Sequence, residues 1–115
     1  MTNKLGLVPV EFCDFWVVGL EHHDGMKLWD QLDRGAVLQL APDPDNPHDP
    51  NAVEVRLGGH MIGFVQKAVA KRLSPILRTG ASYKCKVISR EANESNKYEQ
   101  ILAVFYLFVV KEDNQ

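Results

Sequence analysis

The chain predicts a mainly β fold, a small β-barrel of about six strands with one or two short helices. Three observations carry this. Short apolar or alternating segments recur along the 115 residues, each bounded by turn-forming residues. Gly58-Gly59 separates two of them as a tight hairpin whose turn needs positive φ. Sustained helical spacing of apolar residues appears between Gln66 and Thr79, so a helix stands between two hairpins. That order suits a closed barrel better than a sandwich or a parallel sheet.

Phe12 to Gly19, rich in aromatic residues and valine, reads as the first strand, and it delivers Leu20 to Asp24 at its end. Leu28 and Leu32, four apart with Trp29 between, give Asp24 to Gly35 a short helical segment or folded loop. Ala36 to Ala41 is the second strand. Ala52 to Leu57 and His60 to Val65 are the arms of the Gly58-Gly59 hairpin. In the helix, Ala68, Val69, Leu73, Ile76 and Leu77 form the apolar face and Gly80 the C-terminal cap. Pro75 cannot donate to the carbonyl four residues back, which predicts a kinked or broken helix with Ser74 as an N-cap and Pro75 opening a second turn. Ser82 to Arg90 and Tyr98 to Val110 form the second hairpin around a polar loop at Glu91 to Lys97.

The length and the 45% hydrophobic content fit one globular domain over 1-115. The longest apolar run, Ile101 to Val110, is about half of what a membrane-spanning helix needs, so no membrane is expected. The first residues, Met-Thr-Asn-Lys-Leu-Gly-Leu-Val, do not read as a secretory signal, and the expected location is cytoplasmic. Cys13 and Cys85 form no CxxC pair and read as inert thiols.

The net charge of -2 speaks against an indiscriminate nucleic-acid coat, yet the charges are segregated. From Gln66 to Arg90 there are seven basic residues, Lys67, Lys71, Arg72, Arg78, Lys84, Lys86 and Arg90, and no acidic one. From Glu11 to Asp33, six acidic residues face one lysine. The basic stretch is suited to phosphates if its members share a face, and is otherwise a solvated surface.

The richest segment for chemistry is Asp43-Pro44-Asp45-Asn46-Pro47-His48-Asp49-Pro50-Asn51. Prolines fix φ, and Asp and Asn side chains bond their own backbone, so the loop is stiff and loses little entropy when a ligand binds. Asn46, His48 and Asp49 offer an amide, an imidazole and a carboxylate. The bland reading is an acidic surface turn. No HExxH, HxH or Cys/His cluster supports a metal, and no cofactor is expected. The serines have no GxSxG elbow, and no phosphate-binding glycine loop is present.

Taken in order, Val18-Gly19-Leu20, then Asn46-Pro47-His48-Asp49-Pro50-Asn51-Ala52-Val53-Glu54-Val55, then Ile62-Gly63-Phe64-Val65 and Leu73-Ser74-Pro75-Ile76-Leu77, closely resemble a HIRAN domain, most clearly over 15-90. The resemblance implies a small OB-like barrel of a kind found at the N-terminus of fork-remodelling DNA translocases and as free-standing bacterial proteins. The chain shows no ATPase domain of its own. The resemblance also implies a non-enzymatic, single-stranded DNA-binding module that holds the terminal nucleotide and senses its free 3′-hydroxyl in repair or at stalled forks, beside a separate helicase or repair protein. By it, Asn46, His48 and Asp49 take the pocket-loop positions, Glu21 and His22 the strand-end positions, and Phe64 and Lys67 the strand-to-helix positions. Lys71 and Arg72 would add phosphate contacts.

Chemistry agrees with that assignment, because a carboxylate such as Asp49 accepts from a hydroxyl and repels a phosphate. Two departures stand out. A basic-aromatic pair at the strand end is here Glu21-His22, and a loop tyrosine is here His48. Glu21 brings repulsion toward phosphates, while His48 gains charge as pH falls, so DNA affinity should rise from pH ~8 to ~6. The alternative reading is a protein-interaction or regulatory module that keeps the barrel and has lost DNA-end binding. A third, a small metal-dependent nuclease using His22, His48 and Asp49, suffers from their unhelpful spacing.

Overall fold

A computed structural model describes residues 5-91 and 101-112. Six strands close into one antiparallel barrel. They are β1 (Leu5–Val18), β2 (Val37–Pro42), β3 (Val53–Leu57), β4 (His60–Val65), β5 (Tyr83–Arg90) and β6 (Ile101–Glu112), in the circular order β1-β4-β3-β2-β5-β6. One helix, α1 (Lys67–Arg78), links the two hairpins, and 3-10 turns occupy Leu20–His22 and Trp29–Gln31.

The interior follows from strand alternation. On β5, Cys85 and Val87 point inward, as do Val53 and Val55 on β3 and Phe15 and Val17 on β1. With Ile62, Ala103 and Phe105 they form one buried cluster, which Leu73 and Ala70 of α1 join from one side. Closure leaves the core strands few free edges.

Three elements differ from the sequence reading. The first strand begins at Leu5 instead of Phe12, because β1 pairs with β6 along the whole register from Leu5↔Glu112 to Val17↔Ile101, around a bulge between Glu11 and Cys13. For the same reason β6 runs past Val110. The expected break at Ser74-Pro75 is absent. α1 is continuous through Pro75, Gln66 precedes its first residue, and Ser74 is fully buried with a hydroxyl that has no partner among the described residues. Burial of Leu73 and Ala70 holds the helix across the one hydrogen bond that proline removes. Gly80, at φ 80°, ends the helix as expected, with its N–H donating to the Leu77 carbonyl at 3.0 Å.

The polar loop expected at Glu91 to Lys97 lies, after Glu91, outside the described residues, as do Tyr98 to Gln100 of the expected last strand. The strands that flank them pair antiparallel from Arg90↔Ile101, as a hairpin requires.

Gly63 explains how β4 reaches β1. A Cβ built on it would lie 2.5 Å from the Val18 carbonyl oxygen, closer than any real side chain tolerates. The absence of a side chain there lets the strand ends meet at Val17↔Val65 and Val18↔Phe64.

Candidate functional site

The β2–β3 loop owes its shape to its own side chains. The Asn46 Oδ1 accepts from the His48 N–H at 2.9 Å and from the Asp49 N–H at 3.1 Å, while its Nδ2 donates to Asp43 at 3.2 Å. The Asp49 Oδ1 accepts from the Asn51 N–H at 2.9 Å. Backbone bonds from Asp43 to the Ala52 carbonyl and from Ala52 to the Asp49 carbonyl close the base of the loop. These Asx-type bonds occupy the Asn46 carbonyl and one of its two amide hydrogens. Asp49 keeps its second oxygen, and the His48 imidazole is exposed.

Facing the loop, β4 passes into α1. The Gln66 N–H donates to the Trp16 carbonyl at 3.0 Å, and its side-chain Oε1 accepts from the Trp16 N–H at 2.8 Å. The junction is thereby pinned to β1, which fixes Phe64 and Lys67 on either side of it. The Phe64 ring meets the His23 imidazole edge-on at 5.4 Å.

Between loop and junction lies an open cleft of about 280 Å³, walled by Asn46, His48 and Asp49 on one side, by Phe64, Val65 and Lys67 on the other, and by Val18 and Ala52 at its base. Five of the nine residues singled out in the sequence therefore line one cavity, although Asn46 and Lys67 lie far apart in the chain. Residues that carry a carboxylate, an imidazole, an aromatic ring and an ammonium group thus line one largely apolar cleft, the usual make-up of a ligand site.

Glu21 and His22 sit elsewhere. They occupy the 3-10 turn after Gly19, exposed and paired with each other at 3.4 Å, and neither belongs to the cleft walls. The turn directs the next residue, His23, to Phe64 instead. Neighbouring histidines on an extended chain face opposite ways, so selecting between His22 and His23 required the turn, which the sequence does not announce.

The basic stretch does not gather on one face. Lys67 lines the cleft, and Lys71 is exposed further along α1. Arg72 reaches away, with its guanidinium 5.4 Å from the Phe12 ring. Arg90 donates to the Trp29 carbonyl at 2.6 Å and pairs with Asp33 at 2.8 Å. Lys84 and Lys86 stand on the outer side of β5.

Among the described residues no group of three His, Cys, Asp or Glu side chains is placed to hold a metal ion, and no helix is long and apolar enough to cross a membrane. The nuclease trio is not assembled, since His22 is off the cleft that holds His48 and Asp49. Both cysteines are free. Burial pushes the Cys85 thiol up to about 12 and raises that of Cys13, which keeps both protonated and unreactive.

A six-stranded closed barrel with a stiff polar loop, an aromatic ring and a lysine about one cleft defines a small binding module of the OB-like class. The chain belongs to the HIRAN domain family, whose model matches residues 10–109. HIRAN domains are DNA-binding modules and generally non-catalytic. By structure, the chain is similar to the HIRAN domain of human HLTF, with 24% identity, a TM-score of 0.67 and coverage of 87% of this chain and 78% of that one. It is also similar to a protein from Lactobacillus plantarum, with 17% identity, a TM-score of 0.77 and coverage of 90% and 98%. By sequence, it is 34% identical over 68 residues to a Fanconi-associated nuclease 1 homolog from Oryza sativa subsp. japonica, which matches 56% of this chain and spans 7% of that protein's length.

Proposed function

We propose that the cleft binds the 3′ end of single-stranded DNA, with Asp49 accepting a hydrogen bond from the terminal hydroxyl. One observation carries the reading: Asp49, which has a carboxylate oxygen left unbonded, Phe64 and Lys67 border the same cavity. A terminal nucleoside presents what each of them needs. Its hydroxyl donates to the carboxylate, its base stacks on the ring, and the phosphate before it meets the ammonium. A 3′-phosphate would instead face the Asp49 carboxylate, which repels it. Asn46 acts by holding the loop, and one hydrogen of its amide is left to offer to the ligand. Lys67 as the single lysine on the walls fits a short footprint that reads an end, not a long track along a strand.

Such a module serves repair or stalled-fork processing by locating ends for a separate helicase or repair protein. The dispersal of Arg72, Lys86 and Arg90 over other surfaces favours a second reading, a protein-interaction module on the same barrel. Fluorescence anisotropy at low salt separates the two. The end-binding reading expects affinity for an oligonucleotide with a 3′-hydroxyl over one with a 3′-phosphate, and loss of that preference in Asp49→Ala. Folded protein that ignores both oligonucleotides would leave the interaction reading.

A further inference from the structure

A second cleft, of about 300 Å³, lies on the outer side of β5 and β6, where the loop before β2 folds against them. Arg34 and Lys86 border it on one side and Glu11 on the other. Its floor is Val104, which is only 3% exposed although it points away from the barrel interior. Lys86 is half-buried, with its ammonium 5.7 Å from the centroid of the Tyr106 ring, which lines the same cleft. Among the described residues neither Arg34 nor Lys86 is paired with a carboxylate, in contrast to Arg56 with Glu54 and Arg90 with Asp33. Lys84 stands beside Tyr106 in the register and shares the face of Lys86, roughly 7 Å away along the strand.

We propose that this cleft is a second nucleotide site, which holds one phosphate between Arg34 and Lys86. A guanidinium and an ammonium on one rim bind a phosphate by charge-assisted hydrogen bonds. Glu11 on the far rim limits the ligand to a single phosphate at that side, and offers an acceptor to a sugar hydroxyl or a base amino group. The ligand is thus a nucleoside monophosphate unit, whether free or within a DNA strand. This site is independent of the first. Glu11 and Val18 are separated by roughly 23 Å along β1, so the two clefts engage different nucleotides.

Amide signals in nitrogen-15 NMR spectra test it, with Gly35 and Tyr106 reporting on the second cleft and Gly63 and Lys67 on the first. The probes are deoxycytidine, deoxycytidine 5′-monophosphate, and oligonucleotides that end in a 3′-phosphate or a 3′-hydroxyl. The monophosphate should shift Gly35 and Tyr106 saturably, with the nucleoside at least ~10-fold weaker. Combining Arg34→Ala with Lys86→Ala should remove the effect while leaving the spectrum dispersed. Tighter binding of the oligonucleotide than of the monophosphate identifies a strand as the source, and the reverse a free nucleotide. Shifts confined to Gly63 and Lys67, shifts that persist in the double variant, or none at all overturn the proposal. Shifts at Gly35 and Tyr106 without any at the first cleft, even with a 3′-hydroxyl oligonucleotide, uphold it and count against end binding instead.

Discussion

The His23 imidazole stands edge-on against the Phe64 ring, with centroids 5.4 Å apart and planes at 69°. Phe64 also lines the cleft, so the histidine packs against a ring that borders the site. Phe64→Ala is therefore expected to weaken single-stranded DNA binding by ~1 to 3 kcal/mol, the range for one base stacked on an aromatic. His23→Ala, which removes only the support, should cost less, ~0.5 to 1.5 kcal/mol. Anisotropy titrations checked by circular dichroism measure both, and equal losses would mean that His23 itself touches the ligand.

Asn46 holds two backbone N–H groups of the loop. Asn46→Ala leaves both without their acceptor and should lower stability by ~1 to 2 kcal/mol in urea denaturation. Asn46→Asp keeps the acceptor for both N–H groups but turns a carboxylate oxygen toward Asp43 where the amide donated, so it should restore only part of it. DNA affinity should fall in both variants, in Asn46→Ala because Asp49 is positioned by the bond that Asn46 makes, and in Asn46→Asp also because a further negative charge stands beside the anionic ligand.

Lys67 is expected to contribute one phosphate contact. In a plot of log affinity against log salt, Lys67→Ala should flatten the slope by about 0.7, the share of one contact to a single strand. An unchanged slope would place the phosphates elsewhere on the surface.

His48 borders the cleft with its imidazole exposed. A negative charge placed at this position would face an anionic ligand, so His48→Glu should weaken binding more than His48→Gln does, and added salt should narrow the gap between the two. Equal affinities of the two variants at low salt would place the phosphates away from His48.

Cys85 makes a prediction about stability. Its thiol titrates near 9.0 when unfolded and at about 12 in the barrel. Between these values the unfolded chain has lost a proton that the folded chain keeps. Stability fully present below pH ~9 is thus lost as pH rises toward ~12, by ~2 kcal/mol at pH ~10.5. Cys85→Ala should be less stable than wild type near pH ~8 and should show a smaller further loss at pH ~10.5. Denaturant midpoints at the two pH values decide it.

Much of the fold was legible from local rules. Alternation placed β2 to β5 within a residue or two, Gly58-Gly59 marked its hairpin with φ of 56° and 89°, and Gly80 marked the end of α1. What failed were the places where a distant partner outweighs the local signal. Residues 5-11 contain Gly6 and Pro9 and do not read as a strand, yet they pair with the far end of β6. Pro75 should break a helix, yet burial of the residues before it carries α1 through.

The sequence by itself determined that the chain forms a small β-barrel of the HIRAN family, and which loop is stiff enough to present polar groups, because periodicity and turn chemistry act over a few residues. Tertiary structure alone decided which groups meet. Closing β1 against β4 set Val18 and Phe64 beside the β2–β3 loop, and pinning Gln66 to Trp16 brought Lys67 to the same cavity. The turn after Gly19 exchanged His22 for His23, and Arg72 and Arg90 were drawn to aromatic rings instead of the cleft. Side-chain direction depends on how strands curve and close around the core, and no stretch of neighbouring residues contains that information.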